Sequence, residues 1–342
     1  MKGCCVLFVV LFVFITGCET ANVKSEAGIP SSGETIVTMS PVLEAAHYLA
    51  GKYGAEHVLV VYDIDNTLLT MTHNLGSDQW YAWQDSHDTP EGEKWIKRFD
   101  CLLAVQGILY RLGDMTVTDP SVFKVVKQLQ DEGYAEMVLT SRGPQFRTVT
   151  YRELRRNNLL FRDSSPGPKG GSPNQYLPYD ENKVVGFTPD EIADFKLIGD
   201  STRPRPVLYE DGIYMTSGQH KGAMLRLLLS RYDLMNKYKA VVFADDQPVH
   251  IKGMMQALNA IGIENYAYNY IAKKSSVDQF LEDQQAKKAV TQKWCELRKV
   301  IPTLNKIYGN KQYDYFYKDN SGEMVDCLAY SEKQCVSLTP AD

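Results

Sequence analysis

Val58-Leu59-Val60-Val61-Tyr62-Asp63-Ile64-Asp65-Asn66-Thr67 is the stretch from which the fold can be read. Its first half is uniformly apolar and rich in β-branched residues, with no polar alternation, so it predicts a strand buried on both faces. Strands of that kind belong to parallel sheets covered by helices. Its second half puts two carboxylates, Asp63 and Asp65, at the strand's carboxyl end, where open α/β sheets bind ligands. Taken alone, the same pentapeptide also suits a turn with solvated acids.

The pattern recurs on either side. An amphipathic helix near Val42 to Lys52 precedes the first strand. A helix from Ser121 to Glu132, stopped by Gly133, leads into Met137-Val138-Leu139. Ala240-Val241-Val242-Phe243 and Tyr266 to Tyr270 complete a set of strands alternating with helices. The fold class expected is α/β: a Rossmann-like parallel sheet with helices on both faces, spanning residues 42–275.

Two insertions interrupt it. Residues 71–116 are mainly helical by spacing, with Trp95, Phe99, Leu102, Leu103 and Tyr110 in phase and Trp80 and Trp83 on an earlier turn. Residues 162–219 open with the loop Asp163 to Gly171 and end in a hairpin, Val207 to Met215, turned by Glu210-Asp211-Gly212. Residues 276–342 form a C-terminal extension, helical from Ser276 to Ile307, followed by an alternating Tyr313, Tyr315, Tyr317.

Three further clusters fall at strand ends or a helix start. Thr140-Ser141-Arg142-Gly143 follows the second strand and offers a hydroxyl, backbone amides and a guanidinium to an anion. Lys221 opens the helix Gly222 to Arg231. Asp245-Asp246 closes the third long strand, and adjacent carboxylates repel unless a hard cation such as Mg²⁺ is near.

In this order the clusters resemble the four motifs of the haloacid dehalogenase superfamily of phosphohydrolases, over roughly residues 56–270. Asp63 to Thr67 looks like the first motif, Thr140 the second, Lys221 the third and Asp245-Asp246 the fourth; Gly199-Asp200-Ser201 is a decoy for the fourth, since it precedes Lys221. The resemblance implies a HAD-like fold with a cap formed by the first insertion. It implies Asp63 as nucleophile and Asp65 as the acid and base of an Mg²⁺-dependent phosphomonoesterase working through an aspartyl phosphate. Metal ligation would fall to Asp63, Asp65 (through its carbonyl), Asp245 and Asp246. Thr140 and Lys221, with Ser141 and Arg142, would bind the phosphate. An acid two residues after the nucleophile marks phosphatases and mutases rather than dehalogenases or ion pumps. Secreted acid phosphatases of the superfamily carry a spaced acidic pair where this chain has Asp245-Asp246 followed by Gln247-Pro248-Val249-His250. Trp80 and Trp83 have two readings, a lid over the leaving group or ordinary helix packing, and His250 is a further substrate contact. Two other classes compete: a receiver-type phosphate-accepting domain, and a silent surface module that keeps the fold but binds a partner.

The N-terminus points to export. After Met1-Lys2-Gly3 comes an apolar run of 12 residues, Cys4 to Ile15, about 18 Å as a helix against a bilayer core of roughly 30 Å, so it predicts a signal peptide over 1–17 rather than a span. Ile15-Thr16-Gly17-Cys18 resembles the bacterial lipobox, which implies lipidation of Cys18; cleavage after Ala21 is the alternative, with Glu19 three residues before the cut. On the lipobox reading residues 18–41 are a tether, and the protein is lipid-anchored in the bacterial cell envelope, facing the periplasm or the outside. Glu19 after the cysteine leans toward the outer membrane.

Four cysteines remain beyond Cys18, and an even count permits two disulfides. Cys327 and Cys335 are spaced for a local staple, with Cys101 and Cys295 as buried thiols. At 342 residues, 44% apolar and a net charge of -5 without like-charge blocks, the chain is globular and lacks the basic footprint of a nucleic-acid binder. The partner expected is a small phosphomonoester.

Overall fold

The structure, a computed structural model, describes residues 31–335 apart from 91–93, 95, 97–98, 169, 200–202, 310–315, 319–322 and 329–334. Cys18, the signal segment, Trp95, Asp200, Tyr313 and Tyr315 lie outside the described residues. In chain order the elements begin with β1 (Thr35–Ile36), α1 (Ser40–Tyr53), β2 (Val58–Tyr62), β3 (Leu69–Met71), α2 (Asp78–Asp85), α3 (Phe99–Leu112) and β4 (Met115–Val117). Then come α4 (Pro120–Asp131), β5 (Ala135–Thr140), α5 (Arg147–Arg156), α6 (Pro189–Asp194), β6 (Leu208–Glu210), β7 (Ile213–Met215) and α7 (Lys221–Arg231). β8 (Ala240–Asp245), α8 (Pro248–Asn259), β9 (Glu264–Tyr270), α9 (Lys274–Glu282), α10 (Gln284–Tyr308), β10 (Phe316–Lys318) and β11 (Met324–Asp326) complete the chain.

The architecture is α/β, with a central sheet ordered β1-β9-β8-β2-β5-β7-β6 and parallel except for the β6–β7 hairpin. Every residue of β2 is buried because its alternate side chains serve two cores. Val58, Val60 and Tyr62 face α1 and α4, while Leu59 and Val61 face α7 and α8. The uniform apolarity of the strand has this cause. Tyr62 is in register with Val138 of β5 and Ala244 of β8, so Asp63, Thr140 and Asp245 reach the same edge of the sheet.

Three boundaries differ from the sequence reading. The tether does not run to residue 41: β1 adds a parallel strand beside β9, Ile36 and Met39 are buried, and α1 starts at Ser40. Too few apolar residues precede Pro41 for their burial to be evident from composition. The hairpin ending the second insertion joins the central sheet, β7 pairing with β5, so that insertion is partly core. The C-terminal helix is two, because Asp283 breaks it and caps α10 by accepting from the amides of Gln285 and Ala286.

The first insertion is bracketed by the antiparallel pair β3–β4, and its helices α2 and α3 have their own core. That core is shared with the C-terminal extension: Phe280, Val290, Trp294 and Ile301 pack among Trp80, Trp83, Leu102 and Val105. Disulfides Cys101–Cys327 and Cys295–Cys335 replace the local staple expected from spacing. Proximity here comes from folding the extension back over α3, which spacing along the chain does not reveal. No helix among the described residues is long and apolar enough to cross a membrane.

Candidate active site

Asp63 follows β2 directly, its amide donating to the Ala244 carbonyl (2.9 Å), and Asp245 is the last residue of β8. Lys221 is brought between them by α7, which crosses α8 closely because Gly222 has no side chain; a Cβ there would lie 2.6 Å from the Gly253 carbonyl oxygen. Its Nζ donates to Asp63 Oδ1 (2.5 Å) and Asp245 Oδ2 (2.6 Å), and all three side chains are buried. Burial works against the Lys221 charge, but Asp245 and Asp63 outweigh it and hold the ammonium above its ordinary range.

One lysine does not neutralise this edge. Asp63, Asp245 and Asp246 each present a carboxylate oxygen, all within 4.8 Å of one another. Burial, with the charges of Asp245 and Asp65 added, pushes the Asp63 carboxyl up to about 6 despite Lys221. Burial and the charges of Asp78, Asp63 and Asp245 push Asp246 up to about 9. Asp245 is the exception: Lys221 and a hydrogen bond with His250 Nδ1 (3.0 Å) overcome burial and keep it below the usual carboxylate range. The Gln247 amide also donates to Asp245 Oδ1 (2.9 Å). His250 therefore orients Asp245, a role its spacing from the acidic pair leaves hidden.

Arg142 is not presented to an anion. Its Nε and Nη2 donate to Asp65 Oδ2 (2.8 Å) and Oδ1 (2.7 Å), and Nη1 donates to Thr150 Oγ1 (2.9 Å). The guanidinium lies 4.3 Å from the Tyr110 ring centroid, and the Tyr110 hydroxyl reaches Asp65 Oδ1 at 3.3 Å. A buried guanidinium needs an acid, and Asp65 is the one within reach. Thr140 ends β5; its Oγ1 accepts from the Arg142 amide (3.2 Å), and its carbonyl accepts from Thr216 Oγ1 (2.8 Å). Ser141 is exposed on the wall of a cavity of about 400 Å³ that also touches Asp65.

Trp80 and Trp83 do not close over this cavity. They face the core of the insertion, Trp83 meeting Phe280 edge-on at 6.0 Å. At about 100° per residue the opposite side of α2 carries Asp78 and Tyr81, and these line the cavity. Asp78 also borders a second cavity of about 280 Å³ beside Asp246 and Asn66. Burial and the charges of Asp65 and Asp63 push its carboxyl up to about 7. Sequence reasoning passed over it. Its one local signal is the Ser77 cap, which accepts from the Trp80 amide (3.2 Å), fixing the start of α2 and hence the direction of Asp78.

The sequence-predicted Asp63, Asp65, Thr140, Arg142, Lys221, Asp245 and Asp246 thus gather at the carboxyl edge of one parallel sheet, with Arg142 engaged by Asp65. No curated protein and no solved structure matches the chain. A family profile covers residues 36–306, from the second residue of β1 to the last turn of α10, and so takes in every other strand of the central sheet and every residue of this site. The chain belongs to that family, described as a protein of unknown function (DUF2608).

Proposed function

We propose that this chain is a metal-dependent phosphomonoester hydrolase of the haloacid dehalogenase type, with Asp63 as nucleophile and the first insertion as its cap. The observation that carries the reading is the Lys221 ammonium held between Asp63 and Asp245, at 2.5 and 2.6 Å, on the ligand-binding edge of the sheet. Such a lysine fixes the attacking carboxylate and offers positive charge to phosphoryl oxygens.

The donor set fits Mg²⁺. Three carboxylate oxygens within 4.8 Å of one another are hard ligands, and the raised Asp63 and Asp246 carboxyls mark negative charge that Lys221 leaves uncompensated. Asp63, Asp245 and Asp246, with the Asp65 carbonyl, would hold the ion. When bound, it would neutralise charge between the nucleophile and a phosphate dianion. Asp63 attacks phosphorus in line while Thr140 and Lys221 bind nonbridging oxygens. Asp65, aimed by Arg142, delivers a proton to the departing oxygen and takes one from the hydrolytic water. Export through the N-terminal segment and lipid attachment at Cys18 would place this activity in a bacterial envelope.

The test is phosphate release from simple phosphomonoesters by the full chain purified in detergent, with Mg²⁺ or chelator, beside Asp63→Asn. Turnover that chelator and Asp63→Asn both abolish supports the reading. A folded protein that binds Mg²⁺ and releases no phosphate rejects it and favours a silent binding module.

A further inference from the structure

The cavity beside Asp65 defines a substrate class, an inference that rests on the hydrolase reading. Its volume is about 400 Å³, enough for a ring-bearing leaving group and more than a short alkyl chain fills. Asp65 is among the residues that line it, so a leaving group that takes its proton there would occupy this cavity.

The lining is mixed, with Asp78, Asp100, Gln106 and Gln145 beside a part that is aromatic and aliphatic. Phe99, Leu103 and Tyr110 come from α3, and Tyr81 of α2 and Phe146 join them in the lining. Phe99 is 49% exposed although it opens a helix whose other apolar residues are mostly buried. Tyr110 meets Phe146 edge-on at 5.7 Å. Apolar walls of this kind gain by covering a flat ring.

Among the described residues that line the cavity, one cation is without an acidic partner. Arg142 also borders the cavity but is held by Asp65, whereas the Arg205 guanidinium has no acidic partner among the described residues. The backbone at Arg205 is held in place. Its amide donates to Gln219 Oε1 (3.0 Å), its carbonyl accepts from Gln219 Nε2 (2.9 Å), and Ser217 Oγ donates to the adjacent Pro206 carbonyl (2.6 Å). The side chain lies over Gly218, where a Cβ would approach Nη2 to 3.8 Å. We infer that the preferred substrate is a phosphomonoester whose leaving group carries an aromatic ring and an anionic group that pairs with Arg205.

Ethyl, benzyl and para-carboxybenzyl phosphate separate ring from charge while keeping primary-alcohol leaving groups of similar basicity. With the full chain, Mg²⁺ and constant ionic strength, kcat/KM should rise roughly tenfold or more from ethyl to benzyl phosphate. It should rise again, roughly tenfold, with the carboxylate. Arg205→Gln should bring the carboxybenzyl-to-benzyl ratio close to one, and Arg205→Lys should restore part of it. Equal rates for ethyl and benzyl phosphate, or a carboxylate preference that survives Arg205→Gln, would overturn the inference and leave the hydrolase reading standing. Absence of turnover with all three would instead reject the hydrolase reading.

Discussion

Arg142 grips Asp65 through two parallel hydrogen bonds of 2.8 and 2.7 Å, so the residue proposed as acid and base is held by both its carboxylate oxygens. The fork makes Arg142 a positioning group. Lysine cannot reproduce it, being a point charge rather than a planar donor pair. Arg142→Lys should lower kcat by ~10–100-fold with little change in KM, as expected when a reacting group is misplaced. Arg142→Met leaves Asp65 without its partner and should cost about 2–4 kcal/mol in urea denaturation, below the fully buried limit because Asp65 keeps 16% side-chain exposure. Adding Asp65→Asn to Arg142→Met should recover part of that loss, since the uncompensated charge is then gone.

Metal binding should register in stability without any assay of turnover. At a hundred times its Kd, Mg²⁺ contributes about 2.7 kcal/mol through linkage, worth a few degrees in Tm. Asp246→Asn should remove the response. It should also raise the Tm of the metal-free protein, because burial and the neighbouring carboxylates make the folded state hold a proton on Asp246 that Asn does not need. A Tm indifferent to Mg²⁺ in the unsubstituted protein would count against the metal site.

Glu136 supplies a pH effect far from the chemistry. It lies within β5, wholly buried, accepts from the Tyr62 hydroxyl (2.7 Å), and burial pushes its carboxyl up to about 8. The folded state thus keeps a proton that the unfolded chain gives up near the ordinary carboxylate range. Stability from this group is fully present below pH ~4.5 and is lost as pH rises to about 8. Glu136→Gln, which keeps an acceptor for Tyr62, should flatten that slope and stabilise the protein at pH 8.5 by an amount on the order of a few kcal/mol, read from urea denaturation across pH.

The Cys101–Cys327 disulfide closes a loop of 226 residues, for which chain entropy gives a ceiling of about 5 kcal/mol. Cys101→Ser with Cys327→Ser should lower Tm and expose the segment beyond α10 to limited proteolysis. The central sheet should keep its protection in hydrogen exchange. Equal melting with and without the bond would show that packing of Trp294 and Phe280 alone fastens the extension.

The sheet and its ligand edge were legible in the sequence because β2, β5 and β8 are buried on both faces and leave apolar runs ending in polar clusters. Asp63, Lys221 and Asp245 were legible because each occupies an element end. What the sequence hid depends on contacts between distant segments. Arg142 looked like a phosphate ligand until Asp65 was seen within its reach. The tryptophans of α2 were open between a lid and helix packing; they pack in the core of the insertion, and helix phase turns Asp78 and Tyr81 to the cavity. The cysteine pairing and the strand at residues 35–36 required knowing which chain ends return to the core.

The shared core of α2, α3 and α10 also sets an order of events. Synthesis runs from the N-terminus, so Trp80, Trp83 and Leu102 emerge well before Phe280, Trp294 and Ile301, the residues that cover them. The central sheet can pair once β9 is made, yet the wall of the cavity on α3 must wait for the last part of the chain. Completion of the cavity wall therefore comes late in biogenesis, and a chain interrupted after residue 306, where the family match ends, would leave Cys101 without Cys327.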